Sequence, residues 1–399
     1  KGFVFDEVYY VDGARDFLKY GVEVSGSEPE FIVHPPVGKW LIASGIKLFG
    51  DNEFGWRIAA ATAGTLIILI AARLAHELFY SPFLTAITAA LLAFDGLLLV
   101  HSRTALLDLF LTLFILIAAY FWFRQQYWYA SIFFGLALAT KWSALYFIFL
   151  FALVTLYKMY RENPDRQSLR TLGMRVLQFA ILPFGIYLTS WVGWFASNRG
   201  WDRTYASNPF SSLIYYHKQM LDFHTSLVEK HAYQANPWSW LIMGRPTSFY
   251  YESPQGCGSN NCAQEVLALG TPVLWWSATI AVVVLIGYWM WQFYQRKVDS
   301  KLTFILLGII AGYLPWFFFQ KRTVFSFYAI VFEPFLILAL VYCAKLFIDR
   351  SRNPADAQVI ILGFVAVVFL NFVYFLPLYL GEVITYAQWH MRMWFPSWI

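Results

Sequence analysis

Charge is what this chain has least of: Asp, Glu, Lys and Arg make up 13% of its 399 residues, against roughly 25% in soluble domains. With 59% of residues hydrophobic and 21% aromatic, no single water-soluble core could absorb the apolar side chains. Cysteine is nearly absent. Cys257 and Cys262 bound the polar turn CGSNNC, and Cys343 sits in an apolar run. Three cysteines exclude a disulfide-rich scaffold, and two without histidine companions make a poor zinc site. They leave one candidate disulfide, Cys257 with Cys262, in an oxidising loop, the alternative being two free thiols. The net charge is only +5 and no basic block is present, which argues against a nucleic-acid partner. No HExxH spacing supports a metal among the histidines, no residue is assigned as a metal ligand, and no repeat or low-complexity tract is visible.

What is present is a series of apolar runs, ten in all, near 56–76, 83–100, 104–123, 127–140, 142–158, 174–196, 272–294, 302–319, 324–347 and 358–379. Runs of this length and density read as membrane helices, with no room for β-barrel alternation. The expected class is an all-α polytopic membrane protein. Lys158, Arg161, Arg166, Arg170 and Arg175, then Arg296, Lys297 and Lys301, then Lys345, Arg350 and Arg352 fall on one side when the spans alternate. That side is the cytoplasmic one by the positive-inside rule. Segment 1–55, loop 197–271 and the tail then lie outside, dividing the chain into 1–55, membrane helices 56–196, an external cap 197–271 and membrane helices with a tail 272–399. Segment 1–55 closes with PPVGKWLIASGIKLFG, an amphipathic stretch suited to the interface. An external amino terminus without a signal peptide implies a further helix ahead of Lys1.

Ionisable residues at the outer ends of the spans carry the functional reading, since charge at the membrane is expensive. By alternation Asp6, Glu7, Asp95, Arg103, Asp108, Lys141, Lys321 and Arg322 share one face. Cations there suit a phosphate, which Arg grips bidentately, and a neighbouring carboxylate suits a general base. A lipid phosphate carrying a transferable group fits both. Each residue has a plainer alternative. Asp6 and Glu7 could be solvated interface acids, and Arg103 could snorkel to headgroups. Asp95 and Asp108 could cap helices or pair with Arg103, and the lysines could anchor topology. His34 precedes a Pro-Pro turn, where a structural role is as expected as chemistry. His101, His217, His224 and His231 are also mostly external. Trp238 and Trp240 could stack on a sugar or acceptor, but interface anchoring is the commoner use.

The run FDEVYYVDGARDFLKYG (5–21) resembles the first external loop of protein O-mannosyltransferases, and HPPVGKWLI (34–42) is similar to the His-Pro-Pro motif of the same loop. AFDGLLLVHSRTALLD (93–108), TKWSALYF (140–147), HAYQANPWSWLIMGRPTSFYY (231–251) and KRTVFSFYAIVFEPF (321–335) resemble later segments of bacterial members in the same order. The eukaryotic β-trefoil insertion has no room here, the family's first helix is absent, and Leu241 stands where Pro often follows the second Trp. The resemblance implies the GT-C fold and transfer of mannose from a polyprenyl-phosphate mannose donor to Ser or Thr hydroxyls of exported proteins. It implies a plasma-membrane enzyme whose site faces outward, amid membrane lipids, with the translocation machinery as a further candidate partner. It leaves a divalent metal open. Carried onto matching positions, Asp6 is the general base and Glu7 helps place donor or acceptor. Arg103 and Lys141 are candidates for the donor phosphate, with Lys321 and Arg322 behind them and His34, Asp95, Asp108, Trp238 and Trp240 in support. The donor is β-linked and the family's product α-linked, so a single inverting displacement suffices. Adjacent acids cannot easily aim at one atom, which argues against a double displacement.

Three rivals remain at this stage. Another GT-C enzyme could move arabinose or glucose, or use a lipid or glycan acceptor. A transporter or flippase would show paired repeats and midplane charges, which are not visible here. A non-catalytic scaffold could bind partners through loop 197–271. A transfer assay with labelled polyprenyl-phosphate mannose and a Ser/Thr-rich peptide separates them.

Overall fold

The computed structural model describes residues 2–162 and 169–399; Arg166, among the charges used for topology, lies outside them. In chain order the helices are α1 Glu7–Tyr20, α2 Val37–Phe49, α3 Glu53–Phe79, α4 Pro82–Ala93, α5 Gly96–Ser102, α6 Leu107–Phe123, α7 Tyr127–Leu138 and α8 Ala144–Glu162. There follow α9 Leu169–Val176, α10 Leu182–Ser190, α11 Val192–Ala196, α12 Pro209–Ser226, α13 Pro272–Tyr294, α14 Ser300–Tyr313, α15 Glu333–Arg350, α16 Pro354–Leu380 and α17 Tyr386–His390. The strands are short: β1 Val24–Ser25, β2 Glu28–Pro29, β3 Thr247–Glu252, β4 Cys262–Ala268 and β5 Val383–Thr385.

Among the described residues six stretches have the length and composition to cross a membrane: Glu53–Phe79, Ala144–Arg161, Leu169–Ser190, Pro272–Tyr294, Ser300–Phe319 and Pro354–Leu380. The pair α4 and α5, bent by 65°, adds a seventh if it counts as one span. The expected ten spans are therefore not all full-length helices. Runs 104–123 and 127–140 form α6 and α7, of 17 and 12 residues, short of the ~20 a straight crossing needs. Run 324–347 is divided between a 3-10 turn over Ser326–Val331 and α15. The helical, multi-pass character expected from the sequence holds.

The chain divides into two compact units, one of residues 1–63 and 104–229 and one of 64–103 and 230–399. In the first, α2 is the organiser. Pro36 precedes its first residue with helical dihedrals, as suits a helix start. The Val37 amide donates to the Ala139 carbonyl at 3.0 Å, so the helix begins on the turn that carries Lys141. A Cβ on Gly38 would lie 2.6 Å from Leu107 Cδ2 and 3.2 Å from Thr140 Cγ2. Only glycine lets α2 approach the start of α6 this closely. One residue on, Lys39 forms a buried ion pair with Glu23, whose carboxyl burial pushes up while Lys39 draws it down. The motif HPPVGK is thus a packing device for the elements that bear the site.

In the second unit β3, β4 and β5 form an antiparallel sheet, a feature the reading of 197–271 as a cap did not specify. Cys257, in the connection between β3 and β4, is disulfide-bonded to Cys262, the first residue of β4. The bend between α4 and α5 is held by Asp95, which is fully buried. Its carboxylate accepts from the Leu97 amide (2.7 Å), the Leu98 amide (3.3 Å), the Thr271 amide (3.1 Å) and the Trp275 indole (2.8 Å). Asp95 is thus a helix cap, as one of its two plainer alternatives had it. Asp95→Ala leaves these buried donors unmet and is expected to cost about 2–4 kcal/mol. Asp95→Asn, which keeps an acceptor oxygen, should cost less. Thermal unfolding in detergent checks the order.

Candidate active site

Phe5 takes a left-handed backbone, φ 53°, unusual for a bulky residue. The two acids that follow face different partners, as their adjacency in sequence suggested. Glu7, the first residue of α1, is fully buried. Arg57 grips it bidentately, Nε to Oε1 at 2.7 Å and Nη2 to Oε2 at 2.5 Å. The Val4 amide donates to Oε2 at 2.8 Å, and the Ala105 amide to Oε1 at 2.8 Å. Both oxygens are thus engaged by protein donors, and Glu7 ties the start of α1 to α3 and to the chain entering α6. That arrangement suits positioning better than contact with a substrate.

Asp6 faces the other way. Its carbonyl accepts from the Tyr9 and Tyr10 amides at 3.1 and 3.2 Å, opening α1, and its side chain makes no capping bond. Burial raises its carboxyl to about 6; the Lys141 ammonium draws it down, Asp108 pushes it up, and a hydrogen bond with Tyr10 draws it down again. A carboxylate titrating near neutrality with part of its surface accessible has the properties of a general base.

Lys141 and Asp108 form a buried pair, with Nζ 2.9 Å from both Oδ1 and Oδ2. Asp108 lies in the first turn of α6 and Lys141 at the turn into α8. Asp108 therefore pairs with Lys141. In this structure the Lys141 ammonium balances two carboxylates, Asp6 and Asp108. His34 stacks on His224, with ring centroids 5.4 Å apart, and its ring lies 6.2 Å from that of Tyr10. Trp142 stacks on His217 at 5.9 Å and meets His224 at 5.8 Å.

The remaining candidates belong to the second unit. Arg103 donates to the Tyr379 carbonyl at 2.8 Å. Lys321 is exposed and Arg322 half-buried, at the turn after the 3-10 segment Leu314–Phe319. Trp238 is exposed. Trp240 is not an interface anchor: it is 1% exposed, its indole donates to the Ala235 carbonyl at 2.8 Å, and its ring packs on Trp316 and Tyr313. Pro237 and the 3-10 turn behind it fold the second Trp inward. His101 is also buried, its Nδ1 2.9 Å from the Leu97 carbonyl. Among the described residues no group of three or more His, Cys, Asp or Glu side chains could hold a metal ion.

Arg57 was not singled out from the sequence. The available signal was an Arg in the early turns of an apolar helix, in EFGWRIAAATAG, the criterion that flagged Arg103. Arg57→Ala strands a buried carboxylate and is expected to cost about 3–5 kcal/mol. The double variant Arg57→Ala/Glu7→Gln should recover roughly half of that loss, since no buried charge is left alone. Unfolding of the single and double variants tests this.

A family model described as dolichyl-phosphate-mannose-protein mannosyltransferase matches residues 3–195, and one described as the C-terminal four TMM region of protein-O-mannosyltransferase matches residues 209–398. The chain is 32% identical to the polyprenol-phosphate-mannose–protein mannosyltransferase of Mycolicibacterium smegmatis, covering 99% of this chain and 87% of that protein. It is 31% identical to the Corynebacterium glutamicum protein of the same name, covering 99% and 88%. Among solved structures, the Saccharomyces cerevisiae protein O-mannosyltransferase Pmt1–Pmt2 complex matches with TM-score 0.83 at 16% identity, over 100% of this chain and 89% of that one. The Cupriavidus metallidurans protein ArnT bound to undecaprenyl phosphate matches with TM-score 0.57 at 17% identity, over 96% and 72%. The fold is GT-C, as the resemblance implied. The chain belongs to the dolichyl-phosphate-mannose-protein mannosyltransferase family.

Proposed function

We propose that this protein moves mannose from a polyprenyl-phosphate donor to Ser or Thr hydroxyls of exported proteins, at the outer face of the plasma membrane. Family membership supports the reaction class. The observation that carries the chemistry is Asp6, a carboxylate with its carboxyl raised to about 6 by burial, beside the Lys141–Asp108 pair. Asp6 takes the proton of the acceptor hydroxyl as that oxygen attacks the anomeric carbon. The bond from carbon to phosphate oxygen breaks, and polyprenyl phosphate leaves with its negative charge. A phosphate needs no proton to leave but gains from cationic stabilisation in a water-poor site. Arg103 is the first candidate for that task, on residue type and family resemblance, with Lys321 and Arg322 behind it. Lys141 is a candidate too, although its pairing with Asp108 suits the setting of charge around Asp6. Glu7 positions rather than reacts.

A positioned base contributes about 10²–10⁴-fold. Asp6→Asn should therefore abolish measurable transfer while donor binding persists; transfer surviving in that variant removes Asp6 from the role. The wild-type kcat/KM should fall on the acid side with a midpoint near pH 6, because only the ionised carboxylate accepts the proton. Arg103→Ala should raise the KM for the donor more than that for the peptide. Equal effects on both would assign Arg103 to structure.

A further inference from the structure

A base takes a proton only from a hydroxyl held beside it, so the acceptor chain needs a surface close to Asp6. The first unit carries a row of rings that starts one turn after that residue. The Tyr10 amide donates to the Asp6 carbonyl at 3.2 Å, and the Tyr10 ring lies 6.2 Å from that of His34. His34 stacks on His224 at 5.4 Å, and His224 meets Trp142 at 5.8 Å. Trp142 directly follows Lys141 in the chain. The row thus begins at the helix turn of the base and ends next to the partner of Asp108. Tyr10 is buried, whereas His34, Trp142 and His224 are each partly exposed.

Trp142 is fixed by a chain of hydrogen bonds. Its indole N–H donates to the Tyr187 hydroxyl at 3.1 Å. That hydroxyl donates to His217 Nε2 at 2.6 Å, and His217 Nδ1 donates to the Leu213 carbonyl at 2.7 Å. A carbonyl only accepts, so Nδ1 carries the hydrogen and Nε2 offers its lone pair. Burial holds His217 below the usual histidine range, which keeps the ring neutral, and the same ring stacks on Trp142 at 5.9 Å. At the next position in the row, His224 Nε2 donates to the Val33 carbonyl at 2.7 Å. With the indole N–H committed to protein, the exposed part of Trp142 offers a ligand aromatic carbon. A ring held in place beforehand also has little freedom to lose on binding.

We propose that Trp142 is a specificity-determining residue for the acceptor: an apolar side chain flanking the reactive Ser or Thr rests on its ring beside His224, and Tyr187 and His217 are the positioning residues that hold the indole. This rests on the proposed transferase reading with Asp6 as base. The acceptor is favoured over the donor as the ligand because the row joins the helix turn that bears the base, whereas Arg103, Lys321 and Arg322, offered above for the donor phosphate, belong to the other unit.

The test is the kinetics of the full chain in membranes, with polyprenyl-phosphate mannose and two threonine peptides that differ only in the residues flanking the threonine, leucine in one and glycine in the other. The wild type should show a KM about fivefold lower for the leucine peptide, the size one aromatic contact supports. Trp142→Ala should show equal KM values for the two peptides and an unchanged KM for the donor. A preference that survives Trp142→Ala, a donor KM that rises in its place, or a wild type indifferent to the flanking residue overturns the inference. Should Trp142→Ala fail to fold, Tyr187→Phe decides the matter. It keeps a ring at position 187 and removes only the hydroxyl that holds the indole, so the preference for leucine should shrink; an undiminished preference again overturns the inference. Transfer to neither peptide by the wild type would instead remove the transferase reading itself.

Discussion

A carboxylate with no water around it has to be answered by the protein, and the answer given to Glu7 organises this molecule's candidate site. Two guanidinium hydrogen bonds from Arg57 and two backbone amides, those of Val4 and Ala105, take up its oxygens. The partners come from the residues just ahead of α1, from α3 and from the chain leading into α6. One buried charge therefore fixes the entry of α1 relative to both. With Glu7 held inward and Phe5 in a left-handed turn, Asp6 is left facing Lys141 and Asp108. Neighbouring acids of one chemical type thus acquire opposite surroundings, one with both oxygens taken up by protein donors, the other desolvated with its carboxyl raised to about 6.

The second constraint is packing. Gly38 allows α2 to lie against Leu107, directly before Asp108, and the Val37 amide binds the turn that holds Lys141. The buried Lys39–Glu23 pair then steadies Tyr10 from the far side. A motif readable as interfacial in the sequence is, in the fold, a wedge between the elements that present Asp6, Asp108 and Lys141. Its Pro, Gly and Lys have separate reasons to be present: a preset helix start, a close approach and a compensated charge.

Much of the fold was legible, because apolar length is a strong signal and every long apolar run became helical. Span lengths were less so. Asp95 caps a bend within one run, and polar turns shorten α6 and α7; hydropathy alone does not register such breaks. At the candidate site, charge at the ends of spans marked Asp6, Glu7, Asp108 and Lys141 as candidates, but not who pairs with whom. The partner of Glu7, Arg57, is fifty positions away, and only three-dimensional proximity links them. Trp240 shows the converse. An aromatic in a polar loop reads as a platform or an anchor, yet the turn before it folds the ring into the interior.

The central claim is that Asp6 is needed only to take a proton from the acceptor. Azide is a nucleophile with no proton to lose. Supplied with polyprenyl-phosphate mannose, the Asp6→Ala variant should transfer nothing to a Ser/Thr peptide but should form α-mannosyl azide, inverted from the β-linked donor, as read by nuclear magnetic resonance. Peptide mannosylation by that variant, or an azide product that keeps the donor's configuration, would contradict the account.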